Sequence, residues 1–236
     1  MVFGQILAGG SGTRFGKTKL PKQFLKLGEK PIIVHTIDQF LQNPKIDKIL
    51  VTVNKKWMNH TEDLIKKFYP KDINKIIVIE GGKTRNETIL NGCLYAKEND
   101  SEKALVVTHD AVRPFITQRI IDDNIEAGMR ANAIDTVIPS ADTIVHSIDG
   151  KEITEIPVRG EYFLGQTPQT FKAGNFIDLY NSLTEKEKDI LTDACKIFVI
   201  KGKTVKLVKG EIYNMKITHL EDLEIAKAIL KKEEND

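Results

Sequence analysis

Cysteine is almost absent from this chain. Two thiols, Cys93 and Cys195, cannot build a disulfide framework or a cysteine-rich metal site, and both lie in stretches expected to be helical, where a thiol serves as a small core residue. The five histidines, His35, His60, His109, His146 and His219, show no ligand spacing, which argues against zinc. No apolar run approaches the ~20 residues needed to span a bilayer, and Met1 to Leu7 lack the basic segment and long apolar stretch of a secretory signal. A cytoplasmic protein without membrane insertion is expected. An excess of one charge is missing as well, since 35 Lys and Arg stand against 33 Asp and Glu for a net charge of +2. The cations are spread along the chain rather than gathered in a stripe, so nucleic acid is not an expected partner and a small anionic substrate accounts for them.

What remains is an ordinary globular composition, 41% hydrophobic and 29% charged over 236 residues, enough for a single domain spanning 1–236 with a sizeable core. Phe3 to Ala8, Lys48 to Val53, Lys75 to Ile79, Leu105 to Thr108 and Ala133 to Pro139 are short apolar or β-branched runs that read as strands. Helical stretches separate them: one opens at Pro31 and carries Ile32, Ile33, Ile37, Phe40 and Leu41, and others cover Thr61 to Phe68 and Thr84 to Lys97. This alternation predicts an α/β fold, a mostly parallel sheet with helices on both faces. In such sheets ligands bind at the carboxyl ends of strands. After Thr192 the pattern gives a short helix, a strand near Thr204 to Val208 and a last helix from about Leu220.

The segment at about 142–165 breaks the rhythm. Thr143 to Ile148 and Glu152 to Val158 are extended runs around Asp149-Gly150, a strong hairpin signal. An isolated two-stranded hairpin is marginal in water, so a protruding β-arm rich in Ile and Val should pack on something. The simplest partner is the same arm of a second subunit, giving a homodimer, and the alternative is its own domain.

The first strand runs into Leu7-Ala8-Gly9-Gly10-Ser11-Gly12-Thr13-Arg14, followed by Pro21-Lys22-Gln23. Glycines at this density let the backbone turn sharply and bring amide groups to an anion, and Arg14 and Lys22 add fixed positive charge suited to a polyphosphate. Two familiar phosphate motifs fail. A Walker A loop leading into Gly16-Lys17-Thr18 needs glycine where Ser11 stands. A dinucleotide fingerprint from Gly10-Ser11-Gly12 needs a small residue at Phe15 and an acid where Asn54 ends the second strand.

Together, the glycine loop and Pro21-Lys22-Gln23 resemble the signature of sugar-nucleotidyltransferases. Gly81-Gly82 with Arg85 and Thr88, His109-Asp110-Ala111-Val112-Arg113-Pro114, Gln166-Thr167-Pro168-Gln169 and Lys216-Ile217-Thr218 are similar to motifs of its cytidylyltransferase branch, which includes the methylerythritol-phosphate and ribitol-5-phosphate enzymes. The resemblance implies a Rossmann-like sheet and transfer of a cytidylyl group from CTP to a polyol or sugar phosphate. It implies that Arg14 and Lys22 stabilise the transition state and leaving pyrophosphate, while Leu7, Ala8, Gly9 and Gly10 hold the triphosphate. Gly82, Lys83, Thr84, Arg85, Asn86, Glu87 and Thr88 would serve the base and ribose, although a Gly-Gly turn and a Thr or Asn cap would explain that loop equally well.

Asp110 directly follows an apolar strand, where a carboxylate can hold a metal between phosphates, and the resemblance makes that metal Mg²⁺. Arg159, Lys216, Arg113 and Thr167 match positions that handle the acceptor phosphate, with Arg159 completing the neighbouring subunit's site if the arm crosses. Lys56-Trp57-Met58-Asn59-His60, Leu191-Thr192-Asp193-Ala194-Cys195-Lys196 and Val208-Lys209-Gly210-Glu211-Ile212-Tyr213-Asn214 look more like the ribitol-5-phosphate enzymes of Gram-positive wall teichoic acid synthesis. Methylerythritol phosphate is the alternative acceptor, and no reductase partner supplying the polyol phosphate is identified.

Overall fold

The computed structural model describes residues 1–10 and 20–233, without the side chain of Glu233. In chain order, β1 (Val2–Ala8) leads to a small hairpin of β2 (Lys26–Leu27) and β3 (Lys30–Pro31), then α1 (Ile32–Gln42), β4 (Lys48–Val53) and α2 (Met58–Phe68). β5 (Ile76–Glu80), α3 (Arg85–Asn99), β6 (Leu105–Asp110), α4 (Gln118–Arg130) and β7 (Ala133–Pro139) follow. The remainder is β8 (Phe163–Lys172), α5 (Ala173–Asn181), α6 (Glu185–Asp189), α7 (Cys195–Ile200), β9 (Lys206–Lys209) and α8 (Leu220–Glu233).

Seven strands form one sheet in the order β5-β4-β1-β6-β8-β7-β9. All neighbours pair parallel except at β8, which runs antiparallel to both β6 and β7. The central strands are buried on both faces, which is why β1, β4 and β6 read as nearly unbroken apolar runs. Alternate side chains of those strands feed two cores. Ile6, Ile49 and Val51 meet Ile33, Ile37 and Phe40 of α1, Ile65 of α2 and Ile120 of α4 on one face. Phe3, Leu50 and Val106 meet Ile89 and Cys93 of α3, Phe176 of α5 and Phe198 of α7 on the other. Each fully buried side chain of this size contributes about 1.5–3 kcal/mol, so both helical layers are held firmly to the sheet. The expected α/β architecture with helices on both faces is therefore present, with both cysteines buried as core residues.

One strand has no counterpart in the sequence reading, and two local expectations need correction. The stretch around Gln166-Thr167-Pro168-Gln169 reads poorly as a strand because Pro168 lacks an N–H, yet it lies in the interior strand β8. The register of β7 against β8 shifts between Asp135 and Val137, and the bulge accommodates the proline there, its carbonyl accepting a hydrogen bond from Thr136 Oγ1 at 2.7 Å. The helix expected from Thr61 begins at Met58.

The arm, finally, is not a regular ladder. Its strands meet at a single bridge, His146 with Glu155, beyond a turn in which Gly150 takes φ +72° and Asp149 Oδ1 accepts from the amides of Lys151 and Glu152. The arm does not fold onto its own domain: Ile148, Ile153, Ile156 and Val158 are 83, 59, 61 and 70% exposed.

Candidate active site

β1 is followed in sequence by β4 and β5 on one side of it, and β6 lies on its other side, so the connections diverge between β1 and β6. A crevice opens at such a point, at the carboxyl ends of the strands. Here it is a cleft of about 500 Å³ lined by Leu7 to Gly10, Gln23, Asn54, Gly82 to Arg85, Thr88 and Asp110 to Val112, with Lys22 and Lys216 at its walls. Among the described residues, Lys22, Lys83, Arg85 and Lys216 set four cations against one carboxylate, Asp110. The N-terminus of α3 also ends at the cleft and adds its helix dipole, so the site suits a polyanion.

Local chemistry explains the shape. The Gln23 side-chain amide donates to the Ala8 carbonyl at 2.6 Å and to the Gly10 carbonyl at 3.3 Å, tying the start of the glycine loop to the Pro21-Lys22-Gln23 turn. Lys22 Nζ donates to the Ile217 carbonyl at 2.8 Å, bringing two distant motifs together. At α3, Thr84 Oγ1 accepts from the Glu87 amide, while Glu87 Oε2 accepts from the amides of Lys83 and Thr84, a complete capping box. A Cβ on Gly82 would collide with Glu87, so this turn requires glycine.

Asp110 is opposite Leu7 in the β1–β6 register and is 7% exposed. Its carboxylate meets Lys216 Nζ at 3.0 Å, Arg113 Nε at 3.3 Å and Arg85 Nε at 3.8 Å. Burial alone would raise its pKa, but Arg85, Lys216 and Arg113 outweigh this and hold the carboxyl well below the usual range. Behind it, His109 Nε2 faces the Arg113 carbonyl at 3.1 Å and must carry the proton, leaving Nδ1 to accept from Thr167 Oγ1 at 2.9 Å. Burial lowers the His109 pKa to about 4, so the ring is neutral. The Thr167 oxygen in turn accepts from the Asp110 amide at 3.2 Å.

A second polar group lies beyond Arg85. Arg85 Nη1 donates to Gln169 Oε1 at 3.0 Å, and Gln169 Nε2 donates to Asp135 Oδ1 at 3.0 Å and Asp193 Oδ2 at 2.7 Å. Asp135, Asp193 and Cys195 have ligand atoms within 4.8 Å of one another. They are not a cation site, because the Gln169 amide already donates to both carboxylates and burial keeps the Cys195 thiol protonated. Burial also pushes Asp135 up to about 6; the Gln169 hydrogen bond and Arg85 oppose this, and the Asp193 charge reinforces it.

A folded-state pKa of about 6, above the ordinary aspartate value of ~3.9, means that holding Asp135 ionised costs stability once pH rises through that window. We expect Asp135→Asn to leave stability unchanged near pH 4 and to gain progressively toward pH 7, by up to about 3 kcal/mol before allowing for asparagine's weaker acceptor. Urea melts across that range check it, and a pH-independent difference between variant and parent would refute the assignment.

Most residues singled out in the sequence converge here. Leu7, Ala8, Gly9, Gly10, Lys22, Gly82, Lys83, Thr84, Arg85, Thr88, Asp110 and Lys216 line the cleft. Arg14 lies outside the described residues. Glu87 caps α3 and Asn86 is buried rather than lining the cleft. Arg113 is 8% exposed, with its guanidinium committed to Asp110 and to the Asn214 carbonyl, and Thr167 is 3% exposed with its hydroxyl committed to His109 and Asp110. Both hold Asp110 rather than offer a free group to an acceptor. Arg159 does not line the cleft and donates to the Ala141 carbonyl at 3.1 Å. Gln23, Asn54, Asp135, Asp193 and Gln169 carry no assigned role in the sequence reading, though Gln23, Asp193 and Gln169 belong to motifs singled out there.

A mostly parallel sheet whose switch point carries adjacent glycines, several cations and a buried carboxylate marks the class of nucleotidyltransferases. The sequence profile described as 2-C-methyl-D-erythritol 4-phosphate cytidylyltransferase matches residues 2–232, and the chain belongs to that family. It is 52% identical to the ribitol-5-phosphate cytidylyltransferase of Streptococcus pneumoniae serotype 2 (strain D39), over 99% of this chain and 100% of that protein. Among solved structures it is similar to the 4-diphosphocytidyl-2C-methyl-D-erythritol synthase of Anaerococcus prevotii, with a TM-score of 0.81 and 27% identity over 98% of this chain and 96% of that one. It is also similar to the 2-C-methyl-D-erythritol 4-phosphate cytidylyltransferase of Francisella tularensis, with a TM-score of 0.79 and 26% identity over 96% and 98% of the two chains.

Proposed function

We propose that this enzyme transfers the cytidylyl group of CTP to D-ribitol 5-phosphate, giving CDP-ribitol and pyrophosphate, in the cytoplasm and for wall teichoic acid synthesis. The observation that carries the acceptor is the 52% identity, over essentially full length, to a protein named for ribitol 5-phosphate. Relatives named for methylerythritol phosphate in the solved structures stand at 26 and 27%. In the reaction an acceptor phosphate oxygen bonds to the α-phosphorus of CTP as the bond to pyrophosphate breaks. Two anions must approach, so the main tasks are neutralising charge and aligning reactants, which the four cleft cations suit. The second pKa of a phosphate monoester is ~6, so no strong general base is needed.

Magnesium is commonly held by one or two carboxylates together with substrate phosphates, and Asp110, ionised beside the glycine turn, provides that donor set. When bound, Mg²⁺ would supply charge neutralisation at the phosphate oxygens. Incubation with CTP, Mg²⁺ and each acceptor tests the reading: pyrophosphate and CDP-ribitol are expected from ribitol 5-phosphate, with loss of turnover on chelation. CDP would indicate a kinase, CTP binding without turnover a noncatalytic subunit, and turnover of methylerythritol phosphate alone would overturn the acceptor.

The exposed arm supports a homodimer in which Arg159 reaches the neighbouring cleft. Its apolar residues, from Val145 to Val158, are left uncovered by their own domain. A dimer is expected in sedimentation at micromolar concentration, and Arg159→Ala should raise the KM for the acceptor about tenfold or more with CTP affinity retained, about 1.4 kcal/mol of binding. A monomer with full activity would refute both.

A further inference from the structure

The Arg85 side chain is anchored from behind the site by a neutral amide, and that amide is itself oriented by two acids. Gln169 is 1% exposed, and its Nε2 donates to Asp135 at 3.0 Å and Asp193 at 2.7 Å. An amide turned the other way would direct its carbonyl oxygen at two carboxylates, so the acids fix the orientation and leave Oε1 facing Arg85 Nη1 at 3.0 Å. Asp193 is held in turn just before α7, its Oδ1 accepting from the Cys195 amide at 2.8 Å. From β7 and the start of α7, a fixed line of polar contacts thus runs through β8 to the wall of the cleft. It ends at Asp110, 3.8 Å from Arg85 Nε.

We propose that Gln169 is a positioning residue for nucleotidyl transfer, its amide locked by Asp135 and Asp193 so that it holds the Arg85 guanidinium at the phosphate-binding cleft beside Asp110. Arginine loses considerable rotamer freedom when held in one geometry, and a second anchor removes that cost before substrate arrives. The carboxylates do not enter the cleft, so they orient the guanidinium without presenting their charge to an incoming polyanion. The inference rests on the nucleotidyltransferase reading given above, because its readout is pyrophosphate release.

The test is a double-mutant cycle on the full-length enzyme, comparing Gln169→Met, Arg85→Ala and the double variant in kcat/KM for CTP. Gln169→Met is expected to lose 10-fold or more while its circular dichroism and melting profile stay those of a folded protein, and the double variant to fall within threefold of Arg85→Ala alone. Multiplying losses would mean that Gln169 acts independently of Arg85 and would overturn the proposal, as would parent-like turnover of Gln169→Met.

Should Gln169→Met fail to fold, the polarity swap replaces it. Gln169→Glu alone sets a third carboxylate against Asp135 and Asp193 and is expected to lose activity, whereas adding Asp135→Asn supplies a donor to it and should recover kcat/KM to within fivefold of the parent. No recovery in a folded double variant would overturn the proposal. A parent enzyme that binds CTP yet releases no pyrophosphate with either acceptor would instead overturn the functional reading on which it rests.

Discussion

Replacing Asp110 by asparagine is expected to lower kcat about 1000-fold, some 4 kcal/mol of transition-state stabilisation. The substitution keeps the shape of the side chain but removes the charge that would hold Mg²⁺ and that balances Lys216, Arg113 and Arg85 at 3.0, 3.3 and 3.8 Å. It also has a folding consequence of definite sign. The native carboxyl titrates well below its unfolded value, so its ionised form contributes stability above pH ~4, lost only as pH falls through the lower native value.

At neutral pH the variant therefore lacks a contribution the parent has. It leaves three cations close together, and breaking a buried ion pair typically costs about 3–5 kcal/mol. A polyanion should offset much of that, so CTP is expected to raise the melting temperature of Asp110→Asn more than that of the parent if nucleotide still binds. Steady-state kinetics and thermal melts with and without CTP check both parts. A folded variant with turnover within tenfold of the parent would remove Asp110 from its central role.

Lys22→Ala should reduce kcat/KM by about 100-fold, close to 2.7 kcal/mol. The lysine reaches the cleft from the short turn at Lys22–Phe24, with its Nζ on the Ile217 carbonyl at 2.8 Å. The truncation thus deletes a phosphate-facing charge and unlinks two walls of the site. Lys22→Arg is expected to restore less than a tenth of parental activity, because a planar fork does not reproduce a compact ammonium point charge at the Ile217 carbonyl. Near-normal kcat/KM in the alanine variant would show that the remaining cleft cations suffice.

The strand pattern was legible wherever burial was two-sided: the runs read at Lys48 to Val53 and Ala133 to Pro139 match β4 and β7 residue for residue. It failed at β8, where Gly165, Pro168 and several polar side chains disguise an interior strand. There the side chains of Thr167, Gln169 and Thr170 are satisfied by His109, by Asp135 and Asp193, and by Asn124, partners that no local pattern reveals. The arm was legible as a turn at Asp149-Gly150 but not as a regular ladder, because its apolar side chains find no cover within the chain.

By itself the sequence determined the α/β layering, the concentration of chemistry at strand ends and the family of motifs. These follow from local rules of periodicity, backbone freedom and residue spacing. Only the tertiary structure decided that Arg113 and Thr167 turn inward to hold Asp110, that Glu87 serves as a cap, and that Gln169 joins two acids to Arg85. A side chain's role at such positions depends on which hydrogen-bonding group lies within about 3 Å of it, and that is set by packing between elements distant in sequence.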